Sequence, residues 1–320
     1  MNQTTIETLG PLLEQEGYIV VYASSLKNQY ARILDMLWHI WQNRHFDYVL
    51  IDTYSTSSFW YALATSQLCR LLRLKYIPFL HGGNLPKRLA SHSILCGMIF
   101  NHSYLNIAPS SYLLEAFRNQ GYTNIAYIPN AIDVGRYLNK ERKFASPKLF
   151  WVRSFATIYN PMMAVRVLQQ LQKYHPRATL CMVGPDKDGS LLKTQQLARD
   201  LGVSVVFTGK LTKQEWVTLA QEYDIFINTT HFDNMPVSVI EAMALGLAVV
   251  STNVGGIPFL LEDQKEAILV ADNEVSEMVF AIQQLIDDPN LFQELTTNAI
   301  KKAITFDWEM VKQQWFKILE

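Results

Sequence analysis

Asn228-Thr-Thr-His-Phe-Asp-Asn-Met-Pro-Val-Ser-Val-Ile-Glu-Ala-Met-Ala-Leu-Gly246 is the segment from which the architecture unfolds. The apolar run ending at Asn228 reads as a strand, a polar turn follows, and Pro236 is placed in the first turn of a helix. Proline is favoured there because its missing N–H has no intrahelical partner to lose. The amides around it, those of Asn234, Met235 and Val237, then face the crevice at the carboxyl edge of a sheet. Together with the helix dipole they make a site for a diphosphate. Asp233 precedes this helix, and Glu241 lies one to two turns inside it. That offset lets one carboxylate reach the sugar end of a bound ligand while the other reaches ribose hydroxyls.

Outward from this segment, short β-rich runs alternate with amphipathic helical stretches. Downstream of residue 144 the spacing predicts strands at Leu149–Arg153, Ala178–Val183, Val205–Thr208, Ile225–Asn228, Ala248–Ser251 and Ala267–Val270. Helices are predicted at Pro161–Tyr174, Leu191–Leu201, Lys213–Glu222 and Val237–Leu245. Upstream, strands are predicted at Tyr18–Ala23, Tyr48–Asp52, Tyr76–His81, Tyr104–Ala108 and Ile125–Pro129, with helices such as Lys27–Gln42, Ser57–Arg73 and Ser111–Gln120 between them. Strands that are apolar throughout and separated by helices indicate parallel sheets covered on both faces. Two such units in succession indicate two Rossmann-like, doubly wound α/β domains.

The charged, proline-containing stretch Asn139–Pro147 breaks the apolar periodicity and divides the chain into residues 1–143 and 144–305. Residues 306–320 carry Trp308, Val311, Trp315 and Ile318 at helical spacing, a terminal helix whose apolar stripe needs a partner surface. The beginning departs from the doubly wound pattern. A helix-like segment, Thr5–Glu16, comes first, with Thr4 or Thr5 as its cap, and only Met1–Gln3 precede it. The expectation is an N-terminal sheet lacking its central first strand, with Tyr18–Ala23 and Tyr76–His81 no longer joined across it; either that sheet is rearranged or the chain starts downstream of the complete domain.

Composition excludes several classes of function. Across 320 residues the formal net charge is −1, so no global positive field favours nucleic acid. Cys69, Cys96 and Cys181 stand far apart inside apolar runs, which reads as buried free thiols rather than metal ligands or a disulfide. No apolar run approaches the ~20 residues a membrane span needs, and Met1–Thr5 are polar, so the expected location is cytoplasmic. Lys87, Arg88 and His92, ahead of the apolar run Ile94–Phe100, are the candidates for weak peripheral contact with the inner face of a membrane.

The combined pattern Asp233-x7-Glu241-Ala-Met-Ala-Leu-Gly-Leu-Ala-Val-Val-Ser-Thr, then Gly255-Gly256-Ile-Pro258, then Glu262-Asp263, resembles glycosyltransferase family 4 (group 1) of the GT-B fold. The likeness is close over Leu149–Val270 and follows element order elsewhere. It implies two Rossmann-like domains facing a cleft, with a nucleotide-sugar donor bound by the C-terminal one. It implies that Glu241 binds the nucleotide ribose and that Asp233, one methylene shorter than the family's glutamate, contacts the donor sugar. Arg153 keeps the family's diphosphate-binding arginine, although an arginine at a strand end is otherwise a surface ion-pair partner. The family's lysine six residues further on is Tyr159 here, and the glutamate two residues after Ile257 is Phe259.

Gly184 and the turn Gly209-Lys210-Leu211 are either ordinary β–α turns or, as the resemblance implies, places where the nucleotide meets the backbone. Gly255 and Gly256 resemble the family's glycine loop beside the donor phosphate or sugar. His81, in Leu80-His-Gly-Gly83, is either a turn residue or a group facing the sugar or acceptor. The resulting expectation is a retaining, metal-independent hexosyltransferase without a cofactor. It would move a sugar from a nucleoside diphosphate to a glycan or lipid-linked glycan in polysaccharide or glycolipid synthesis. A sugar-nucleotide epimerase and a non-catalytic nucleotide-sugar-binding protein are the alternatives. No pair of side chains resembles the two carboxylates of a glycoside hydrolase.

Overall fold

The computed structural model describes residues 5–139, 142 and 146–320. Met1–Gln3, a cap at Thr4 and much of the charged boundary stretch therefore lie outside the described residues. The chain divides into two compact units: the residues up to Ala131 together with Trp308–Glu320, and Ile132–Asp307. Both are α/β.

In the first unit, α1 (Thr5–Gln15) and α2 (Gln29–Gln42) precede β1 (Tyr48–Thr53), α3 (Phe59–Leu71) and β2 (Lys75–Leu80). Then come α4 (Leu85–Ser91), α5 (Ser93–Phe100), β3 (Asn106–Ala108), α6 (Ser111–Asn119) and β4 (Ile125–Tyr127). The four strands are parallel in the order β1-β2-β3-β4, so strand order never reverses among the described strands. Lys75–Leu80 is paired on both sides, by β1 and by β3.

Tyr18–Ala23 corrects a sequence expectation, because it belongs to no strand. Its alternation is real: Tyr18 and Val20 pack on the core while Ile19 and Val21 are exposed. A period of two only makes a residue run fit for a sheet; a neighbour must supply the ladder hydrogen bonds. This segment and Tyr76–His81 are not joined, as expected, but not across a gap: β2 is flanked by β1 and β3, and Tyr18–Ala23 joins no sheet among the described residues.

The second unit contains β5 (Lys148–Val152), α7 (Pro161–Leu171), β6 (Thr179–Val183), α8 (Ser190–Asp200), β7 (Val205–Gly209) and α9 (Lys213–Ala220). It continues with β8 (Ile225–Asn228), α10 (Val237–Ala244), β9 (Ala248–Thr252), α11 (Ile257–Leu260), β10 (Ile268–Val270), α12 (Val275–Asp287) and α13 (Pro289–Ile304). Its parallel strands run β10-β9-β8-β5-β6-β7. Side chains alternate between two apolar layers: Leu149, Trp151, Ile225 and Ile227 face one, Phe150 and Phe226 the other. Burial on both faces explains why these strands read as continuous apolar runs.

Arg142 shows why a charged stretch need not be a solvated linker. Its guanidinium is buried and donates to three backbone carbonyls, Tyr223 O at 2.7 Å, Leu245 O at 2.8 Å and Gly246 O at 3.1 Å. Two of these lie at the carboxyl end of α10, where a helix leaves acceptors unsatisfied and a cation is favoured.

The last helix, α14 (Trp308–Leu319), belongs to the first unit. Trp308, Val311 and Trp315 are buried with Ile77, Phe79 and Ile107 of the sheet and Leu9 and Leu13 of α1. The Trp315 ring lies 5.7 Å from that of Phe79, and Trp308 Nε1 donates to Glu16 at 3.0 Å.

Candidate donor site at the switch point of the second sheet

Strand order reverses between β5 and β8, because successive strands after β5 are laid to one side and those after β8 to the other. The loops leaving the carboxyl ends of these two strands must diverge, and the crevice between them is where open α/β sheets bind ligands. The chain places Arg153 directly after β5 and Asp233 in the turn after β8. Arg153 Nη2 lies 2.5 Å from Asp233 Oδ2, with the two side chains 13% and 15% exposed.

The loops that carry this pair are zipped together. Thr229 Oγ1 accepts from Trp151 Nε1 at 3.1 Å and lies 2.9 Å from Tyr159 O. The Thr230 hydroxyl and the His231 amide both donate to Ile158 O, at 3.1 and 2.8 Å. Tyr159, at the end of a 3-10 turn, puts its ring 5.1 Å from the Arg153 guanidinium. Its ring therefore supports the arginine through a cation–π contact. Arg153 Nε is buried and has no acceptor among the described residues. Burial pushes the Asp233 carboxyl up, and Arg153 opposes that push.

Glycines allow the close approaches. The Gly256 amide donates to Asp233 O at 2.8 Å, and a Cβ on Gly256 would sit 1.8 Å from Asn234 O. Gly184, at the end of β6, has φ +151, and a Cβ there would sit 1.8 Å from Arg153 O. Its amide donates to Gly209 O at 2.9 Å, which joins the β6 and β7 ends. Gly255 shares the loop with Gly256. Lys210 is exposed just beyond β7, and Leu211 packs on the second apolar layer.

Pro236 is the residue flanking α10, with φ −71 and ψ 108, not a member of its first turn. Pro236 supplies no side-chain cap to this helix. Its leading amides, beginning with Val237, thus have no helical acceptor. Ser238 Oγ, in that turn, is buried without a partner among the described residues. Asn234 donates its amide to Asp233 Oδ1 at 2.9 Å, and Met235 is buried in the core.

Glu241, 3% exposed, has partners that the sequence did not single out. Tyr137 Oη donates to Oε1 at 2.9 Å, and the Lys213 ammonium is paired with the same oxygen. Burial pushes the Glu241 carboxyl up, opposed by Lys213 and Tyr137. The sequence hid these partners because they lie 104 and 28 residues from Glu241. The only local signal was the Thr212–Glu215 capping box that starts α9 at Lys213.

His81 belongs to the first unit. Its Nε2 lies 2.8 Å from Asp52 Oδ1, and its ring stands between those of Phe79 and Tyr54 at 4.5 and 5.1 Å. His231 pairs with Asp272 at 2.8 Å. Of the residues considered for a membrane surface, Lys87 is exposed, Arg88 lies 4.2 Å over the Phe59 ring, and His92 is hydrogen-bonded to Ser91. No helix among the described residues is long and apolar enough to cross a membrane.

A parallel sheet whose strand order reverses, with an arginine, two carboxylates and a helix N-terminus at the switch point, defines the class of doubly wound α/β proteins. Within that class, the chain belongs to the family described as glycosyl transferases group 1, whose model matches residues 138–302. It is 24% identical over 194 residues to glycogen synthase of Mycobacterium tuberculosis, an overlap covering 60% of this chain and 47% of that one. It is 28% identical over 156 residues to D-inositol 3-phosphate glycosyltransferase of Corynebacterium kroppenstedtii, covering 46% and 34%. The overlaps thus span about a third to a half of these relatives.

Among solved structures, HepE of Anabaena with UDP-glucose superposes with a TM-score of 0.79 at 18% identity, covering 98% of this chain and 88% of that one. Sucrose-phosphate synthase of Thermosynechococcus elongatus superposes with a TM-score of 0.80 at 16% identity, covering 98% and 91%. The fold is that of the GT-B glycosyltransferases.

Proposed function

We propose that this chain transfers a sugar from a nucleoside diphosphate to a glycan or lipid-linked glycan acceptor, with retention at the anomeric carbon. The observation that carries the reading is the placement of Arg153 and Asp233 at the carboxyl ends of β5 and β8, where strand order reverses. The solved HepE structures, which hold UDP and UDP-glucose, support a nucleotide sugar as the ligand.

The diphosphate is read against the leading amides of α10 and the Arg153 guanidinium. These donors favour the charge that develops as the diphosphate leaves, so the proposal includes no catalytic divalent metal. Ser238 Oγ and Arg153 Nε, both without a partner among the described residues, are further donors for phosphate oxygens. Asp233 takes the sugar side and Glu241 the ribose. Gly184, Gly209 to Leu211 and the Gly255–Gly256 loop contribute backbone contacts. Tyr159 acts through Arg153, which it supports. His81, oriented by Asp52, is assigned to hydrogen-bond the sugar or the acceptor.

Incubating the purified chain with labelled sugar nucleotides and a cell-membrane extract tests this. Label in a glycan or glycolipid is the expected result. Isomerised donor without transfer would make the chain an epimerase, and binding without turnover would make it a nucleotide-sugar-binding protein.

A further inference from the structure

The Glu241 carboxylate is engaged on one side only. Lys213 Nζ and Tyr137 Oη both contact Oε1, whereas no donor among the described residues contacts Oε2, in a side chain that is 3% exposed. Oε2 is not sealed from solvent, so a ligand hydroxyl can reach it. The partners are held firmly. The Thr212–Glu215 capping box fixes the turn that carries Lys213, and its ammonium lies 5.2 Å over the buried Trp216 ring. Tyr137 is itself buried.

Lys213 also stands at the first residue of α9, where the helix dipole disfavours a cation. The helix does not benefit from that charge; Glu241 does. The Lys213 side chain is 41% exposed, so the arrangement opens to solvent on that side.

We propose that Lys213 and Tyr137 are positioning residues that lock Glu241 through Oε1, so that Oε2 is presented to the vicinal diol of a ribose and the site selects ribonucleotides over 2′-deoxyribonucleotides. This rests on the reading of Glu241 as the ribose-binding group. The groups facing Glu241 are Lys213 from α9, Tyr137 from the segment before β5 and, further off, Arg153. All three oppose the upward push of burial. Without Lys213 the carboxyl takes up its proton at a higher pH, and a protonated carboxyl is the weaker acceptor.

Calorimetric titration with the ribo and 2′-deoxy forms of UDP, GDP and ADP between pH 6 and pH 8 tests the inference. The wild-type chain should prefer one ribonucleotide by ~10-fold or more, as expected for hydrogen bonds to a charged group. Lys213→Met should lose that preference at the acid end and regain part of it at the alkaline end. Lys213→Arg should keep it throughout, and Tyr137→Phe should reduce it several-fold. Wild-type ratios in Lys213→Met at every pH would overturn the inference. If that variant does not fold, an undiminished ratio in Tyr137→Phe would do so. A wild-type chain that does not distinguish ribo from deoxy forms would instead overturn the reading of Glu241 itself.

Discussion

Arg153 and Asp233 meet at 2.5 Å where β5 and β8 end, each largely buried and each the other's only opposite charge in an ion pair among the described residues. Removing one partner of such a pair strands the other, which costs roughly 3–5 kcal/mol when burial is complete. Arg153→Met should therefore destabilise the fold by about 3 kcal/mol, and Asp233→Asn by less, since the amide oxygen still accepts from the stranded Arg153 guanidinium. Burial raises the Asp233 pKa, so the carboxylate form opposes folding. That penalty is absent below the unfolded pKa and appears as pH rises through the folded one. The deficit of Arg153→Met should be smallest near pH ~4 and grow toward neutrality. Urea denaturation at several pH values measures it; a deficit independent of pH would contradict the account.

Tyr159 stands where a diphosphate-binding lysine is expected, yet its ring supports Arg153. The ring, not the hydroxyl, is then the working part. Tyr159→Phe should bind a nucleoside diphosphate within ~2-fold of wild type, whereas Tyr159→Leu should lose about 0.5–2 kcal/mol of that binding. Titration calorimetry separates them. Equal losses in both variants would show that the hydroxyl is the contact.

At Gly256 there is no room for a side chain. A Cβ would meet the Asn234 carbonyl at 1.8 Å, and the same loop holds the Asp233 carbonyl through the Gly256 amide. Gly256→Ala should cost about 3 kcal/mol in overpacking and loop displacement. It should also weaken nucleotide binding in the fraction that remains folded. A thermal melt with and without nucleoside diphosphate checks both effects, and an unchanged melt would mean that the loop yields.

Trp315 is 1% exposed and packs on Phe79 in a layer shared with α1. Truncating a buried tryptophan costs roughly 3–5 kcal/mol. Trp315→Ala should accelerate hydrogen exchange in β1 to β3 while leaving β5 to β10 protected. Exchange accelerated equally in both sheets would contradict the division into two units.

The second sheet was legible because both of its faces are buried, so its strands carry an unbroken apolar signal and its motif spans a single turn. The helix start at Val237 was legible, but Pro236 flanks α10 instead of lying in its first turn. Tyr18–Ala23 misled because periodicity reports which side of a chain is apolar, not whether a neighbouring strand exists. Lys213 and Tyr137 were invisible for the complementary reason: their meaning lies in converging on Glu241 from distant parts of the chain. Arg142 looked like linker charge because nothing local shows that three carbonyls surround it.

The most direct test of the donor site is the affinity of the wild-type chain and Glu241→Gln for nucleoside diphosphates, measured by calorimetry alongside the melting temperature. Glutamine keeps the shape but loses the charge-assisted bonds, each worth about 1.5–3 kcal/mol, so affinity should fall ~10-fold or more. Burial raises the Glu241 pKa, so its charge opposes folding above the usual carboxylate range. The variant should thus melt at the wild-type temperature or above it at neutral pH, and the difference should vanish as pH falls below that range. One-to-one binding in the wild type, weakened in a variant that is no less stable, is the predicted result. Equal affinity in the two proteins, or no nucleoside diphosphate bound by either, would contradict it.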